Sequence, residues 1–100
     1  MEVNVVSDGN RSAIYLSGRF DSSGQQVFFA AVDEATAANA PEIRVDLGGV
    51  DYIDSTALGL LLMVRERATG AGKRVVLAGA QGSVKLVLDI SNFAKIFGMA

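Results

Sequence analysis

The sequence predicts an α/β fold: a mixed, mostly parallel β-sheet with an antiparallel strand at its N-terminal side and helices packed against it. Three observations lead there. Short apolar strand patterns alternate with two amphipathic helical patterns, the arrangement of a sheet covered by helices. Asp8-Gly9-Asn10 lies between the first two strand patterns, and a tight turn there implies an antiparallel hairpin. Val75-Val76-Leu77-Ala78 is a continuous apolar run, as a parallel strand buried on both sides requires.

The elements follow in order. Val3-Asn4-Val5-Val6 and Ala13-Ile14-Tyr15-Leu16 form the hairpin. Asp21-Ser22-Ser23-Gly24 opens a helix that runs to about Asn39, because Asp and Ser side chains accept the free N–H groups of a first turn. Phe28, Ala31, Val32 and Ala35 recur at helical spacing and form its core face. Ala40-Pro41 ends it, since proline disfavours helical geometry in the residue before it. Ile43-Arg44-Val45-Asp46-Leu47 alternates as a strand does, and a loop from Gly48 to Ile53 follows. A second helix spans about Thr56 to Thr69, stopped by Gly70-Ala71-Gly72. After the buried strand, Ser83 caps a short helix from Val84 to about Asp89, and Phe93 to Phe97 closes the chain as a strand or a docked tail.

At 100 residues the chain is expected to form one domain over 1–100, and with 50% hydrophobic residues it can build one core. It has neither cysteine nor histidine. Disulfides, thiolate nucleophiles, imidazole bases and ordinary zinc or haem ligation are thereby excluded, and no cofactor or metal is implied. The net charge is -2 and the basic residues are scattered, which argues against nucleic-acid binding. Met1-Glu2-Val3-Asn4 lacks the pattern of a signal peptide, and no apolar run approaches the roughly 20 residues of a membrane span. The expected location is the cytoplasm, without membrane insertion.

Asp54-Ser55-Thr56 stands at the start of the second helix. Capping alone accounts for these residue types. The helical wheel adds a second reading. Ala57, Leu60, Leu61, Val64 and Ala68 share the core arc, whereas Ser55, Gly59, Leu62, Met63 and Glu66 lie opposite. An apolar strip beside a polar cap is either a docking surface or the seat of a neighbouring helix. Ser55 lacks a histidine base and any motif linking it to Lys73, Lys85 or Lys95, so it is not read as a nucleophile, and the chain is not read as an enzyme. Phosphorylation fits better. A phosphoserine adds about -1.5 to -2 charges, which the positive end of a helix dipole tolerates.

The chain resembles the STAS-domain family of anti-sigma factor antagonists along nearly its whole length. The resemblance is carried by Leu16-Ser17-Gly18-Arg19-Phe20-Asp21, Val45-Asp46-Leu47, Tyr52-Ile53-Asp54-Ser55-Thr56-Ala57-Leu58-Gly59, Ala71-Gly72-Lys73, Leu88-Asp89-Ile90 and Phe93-Ala94-Lys95-Ile96-Phe97. Family members often carry glycine where Ala57 stands; alanine favours helix by about 1 kcal/mol. The resemblance implies partner switching. The unphosphorylated protein sequesters an anti-sigma factor that is a serine kinase of the histidine-kinase-like ATPase superfamily. The kinase phosphorylates Ser55 and is released, and a PP2C-type phosphatase resets the cycle. Thr56 is the lesser phosphoacceptor candidate. Asp21, Asp54, Ser55, Thr56, Gly59, Leu62, Met63 and Glu66 form the implied partner surface. The alternative is a constitutive scaffold or an accessory subunit of a transport or signalling complex.

Overall fold

The computed structural model describes all of residues 1–100. In chain order they form β1 (Glu2–Ser7), β2 (Arg11–Phe20), a 3-10 turn (Ser22–Gly24) running into α1 (Gln25–Ala37), β3 (Glu42–Ile53), α2 (Ser55–Gly70), β4 (Arg74–Ala78), α3 (Gly82–Ile90), a second 3-10 turn (Phe93–Lys95) and β5 (Gly98–Met99). The strands lie in the order β1-β2-β3-β4-β5; β1 is antiparallel to β2 and every other pair is parallel. This is the fold class that the sequence predicts. The hairpin turn is held by Asp8, whose carboxylate accepts the backbone N–H of Asn10 at 2.7 Å and of Arg11 at 3.0 Å.

The core forms between one face of the sheet and the helices. Ile14, Leu16, Ile43, Val45, Leu47, Val75 and Leu77 point to that face. Phe28, Ala31, Val32 and Ala35 of α1 meet them, as do Ala57, Leu60, Leu61, Val64 and Ala68 of α2, the two stripes read from helical spacing. Val84 and Leu88 of α3 complete the cluster. The opposite sheet face carries Tyr15, Glu42, Arg44 and Asp46 and has no helix over it.

Three local expectations change, and a fourth, open between two forms, is settled. Gly48 to Ile53 is strand, not loop. Here β3 continues past β4 and pairs with β2 alone, Ser17 with Gly49, Gly18 with Val50, Arg19 with Tyr52 and Phe20 with Ile53. Two irregularities of register each give β3 one extra residue, which hides the alternation that would mark a strand. Gly49 makes the first possible: a Cβ there would stand 2.9 Å from the Leu16 carbonyl oxygen. Ser83 does not cap α3; the helix starts two residues earlier than expected, at Gly82 behind Gln81, whose side chain instead donates to the Gly48 carbonyl at 3.3 Å. Helix α1 ends at Ala37, before Asn39, and Lys73 takes up the carbonyls of Ala38 and Ala40 just beyond it. The C-terminal segment is a docked turn: Phe93 and Phe97 are buried with ring centroids 5.2 Å apart, and the strand beside β4 is Gly98–Met99.

Candidate functional site

Phe20 and Ile53 are register partners, so parallel β2 and β3 end side by side. An aspartate follows each, in extended geometry, with φ of -142° at Asp21 and -124° at Asp54. Such a backbone turns the side chain back onto the first free N–H groups of the helical turn ahead. Asp21 accepts from the Ser23 N–H at 3.0 Å and from the Ser23 hydroxyl. Asp54 accepts from the Ala57 N–H at 3.0 Å, while its own carbonyl accepts from the Leu58 N–H at 3.1 Å.

Ser55 is the first residue of α2 and is exposed. Asp54 makes the cap, so the Ser55 hydroxyl is not engaged in it. Thr56 is exposed next to it. Gly59, Leu62 and Glu66 continue along the exposed side of α2, and no helix covers Leu62, which is 41% exposed. Met63 corrects the strip: it is half-buried and packs against the core. A long, unbranched thioether at the edge of a helical face can bend inward where a branched side chain would not. The exposed apolar surface on α2 is therefore narrower than the wheel implies and centres on Leu62.

Two neighbours were not singled out in the sequence. Arg19 and Tyr52 are partners across β2 and β3, and the guanidinium lies 3.8 Å from the ring centroid. The same guanidinium approaches the Asp21 carboxylate at 3.5 Å. A signal existed: Arg19-Phe20-Asp21 and Tyr52-Ile53-Asp54 repeat one pattern, a large side chain, a core residue and a capping aspartate. The Ser23 hydroxyl and then the Ser23 backbone N–H hold the Asp21 carboxyl below the ordinary 3.8, with Arg19 adding to the effect. No group of His, Cys, Asp or Glu side chains is arranged to hold a metal ion. No helix is long and apolar enough to cross a membrane.

A five-stranded mixed sheet, β1 antiparallel and the rest parallel, with three helices on one face is the architecture of a STAS domain. The chain belongs to that family: the family model described as "Mlab, STAS domain" matches residues 3–98. A STAS-domain containing protein of Pseudomonas aeruginosa is 38% identical over 91 residues, which cover 91% of this chain and 89% of the relative. BtrV of Bordetella bronchiseptica, named as a candidate anti-sigma factor antagonist, is 28% identical over 85 residues, 85% of this chain and 73% of the relative. Among solved structures, the anti-sigma factor antagonist SpoIIAA in its unphosphorylated form matches with a TM-score of 0.76 at 17% identity, covering 99% of this chain and 87% of that one. An anti-sigma factor antagonist from Mycobacterium paratuberculosis matches with a TM-score of 0.84 at 19% identity, covering 98% of this chain and 83% of that one. At these identities the two structures share the fold.

Proposed function

We propose that this STAS domain is a cytoplasmic anti-sigma factor antagonist and acts by binding, not catalysis. Its unphosphorylated form sequesters an anti-sigma factor that is also a serine kinase of the histidine-kinase-like ATPase superfamily. Phosphorylation at Ser55 releases that partner, and a PP2C-type phosphatase restores the binding form. The observation that carries this reading is an exposed serine whose hydroxyl is free because the preceding aspartate already caps the helix. Leu62 supplies apolar contact further along the helix, and Asp21, Asp54, Thr56, Gly59, Met63 and Glu66 complete the proposed surface. The name given to BtrV supports the same role, and SpoIIAA is a relative in fold whose phosphorylated form has also been solved.

The switch works on the partner. A phosphate on the first residue of α2 meets free backbone N–H groups and the positive end of the helix, worth roughly 0.3 to 2 kcal/mol in favour of the fold. The charge instead opposes a partner packed on Leu62, which must desolvate it. Incubation with the cognate kinase and ATP should add one phosphate by intact mass and none to Ser55→Ala. Ser55→Asp should weaken kinase binding while the circular dichroism spectrum stays native. Undiminished phosphate on Ser55→Ala would reject the assignment. Stable capture of a transporter subunit, unaffected by either variant, would assign a scaffold role instead.

A further inference from the structure

A second site is indicated on the edge of the domain, where the C-terminal half of α2, the start of β4 and the tail before β5 enclose a cavity of about 280 Å³. Arg65, Thr69, Lys73 and Arg74 line it, and no carboxylate does. These cations come from three different places: Arg65 from the helix, Lys73 from the turn after it and Arg74 from the strand.

Their charge is poorly compensated. Arg65 and Lys73 have no acidic partner; the ion pairs of the chain fall on Arg11, Arg19, Arg44, Arg67, Arg74 and Lys85. Arg74 does reach a carboxylate, Glu42 at 3.1 Å, but Arg11 and Arg44 share that same carboxylate at 3.5 and 3.4 Å. Arg74 therefore shares a single carboxylate with two other guanidinium groups, in a chain whose net charge is -2.

Cations near helix ends often serve only to offset the helix dipole. Lys73 does so in part, donating to the carbonyls of Ala38 and Ala40 beyond the end of α1, which leaves its third N–H free. Arg65 does not. It stands more than a turn before the end of α2 and donates through Nε to the Ile96 carbonyl at 3.0 Å, so the tail fixes the guanidinium while its terminal N–H groups stay available. Thr69, one turn further along the same helix face, adds a hydroxyl.

We infer that this cavity binds a small phosphate-bearing anion. Arg65 and Thr69 offer donors from one helix face, Lys73 adds charge from the turn, and the guanidinium fork matches phosphate oxygens in pairs. The cavity has no aromatic lining on which a nucleobase would stack, which favours phosphate, pyrophosphate or a small phosphate ester over a nucleotide.

Amide NMR of the whole chain, titrated with sodium pyrophosphate at constant ionic strength against a chloride control, tests this. Saturable shifts are expected at Thr69, Lys73 and Gly98. Arg65→Gln should weaken binding about tenfold, the loss of a charge-assisted hydrogen bond, and Arg65→Lys, which keeps the charge without the fork, should restore only part of it. Ser55→Ala should bind as the wild type does, which separates this site from the switch. Shifts that rise linearly without saturation, or equal affinity in Arg65→Gln, would overturn the inference. So would retention on vesicles containing phosphatidic acid with no saturable response to free pyrophosphate, which would place the phosphate in a lipid headgroup.

Discussion

Asp21 and Asp54 hold the same post one strand apart: each follows a register partner across β2 and β3, and each starts a helical turn by accepting a backbone N–H at 3.0 Å. The sheet therefore sets where both caps stand, and Ser55 is placed by the second of them.

Asp54→Ala should destabilise the domain by about 1 kcal/mol, the usual cost of an N-cap, and Asp54→Asn should recover most of it. Urea unfolding with an unchanged slope checks this. A loss well below that would mean that Ser55 or Thr56 takes over the cap, and would deny Ser55 the free hydroxyl on which the proposed switch depends.

Asp21 should titrate below 3.8 in the folded chain, held there first by Ser23 and then by Arg19. Ser23→Ala should therefore raise its midpoint more than Arg19→Gln does, as read from carboxyl chemical shifts. The linkage has a definite sign. A depressed carboxyl stabilises the fold above its unfolded value, and that contribution fades as pH falls through the folded value. Asp8 behaves alike, held down by the N–H groups of Asn10 and Arg11. Asp21→Asn should make stability fall less steeply below about pH 4 than it does in the wild type.

Gly59→Ala should separate stability from binding. Nothing lies within 4 Å of a Cβ at Gly59, and the residue is exposed in mid-helix. Alanine there should stabilise the domain by about 0.5–1 kcal/mol. If this face receives the kinase, the same methyl group should weaken the complex. Raised stability with unchanged kinase affinity would remove Gly59 from the partner surface.

Glu42→Gln should destabilise the domain by about 2 kcal/mol, between the worth of a surface pair and that of a buried one. The carboxylate is buried and serves three arginines. Its loss leaves like charges side by side, so about 1 M salt should restore part of the stability.

Much of this was legible in the residues. Helical spacing identified the buried faces of α1 and α2 because a helix on a sheet hides one continuous arc. Asp54 was legible as a cap because its chemistry is local. Tertiary pairing was harder to read. Gly48 to Ile53 looks like a loop because its order depends on β2, a partner distant in sequence, and on two extra residues that break the alternation. Glu42 lies next to Ile43 at the start of a strand, and only the register shows that Arg11 and Arg74 flank it on either side. Met63 was misplaced because a wheel records direction and ignores the reach of a flexible side chain.

The continuation of β3 to Ile53 carries a kinetic consequence. The residues leading to Ser55 are held by the β2–β3 ladder, and Asp54 fixes the turn that follows. Little chain entropy then remains to be lost when a partner arrives. Encounter should be limited by diffusion and charge, without a slow folding step at the site. A cell that used this domain as a switch would find its response time set by the enzymes acting on Ser55, while the domain itself contributed almost no delay.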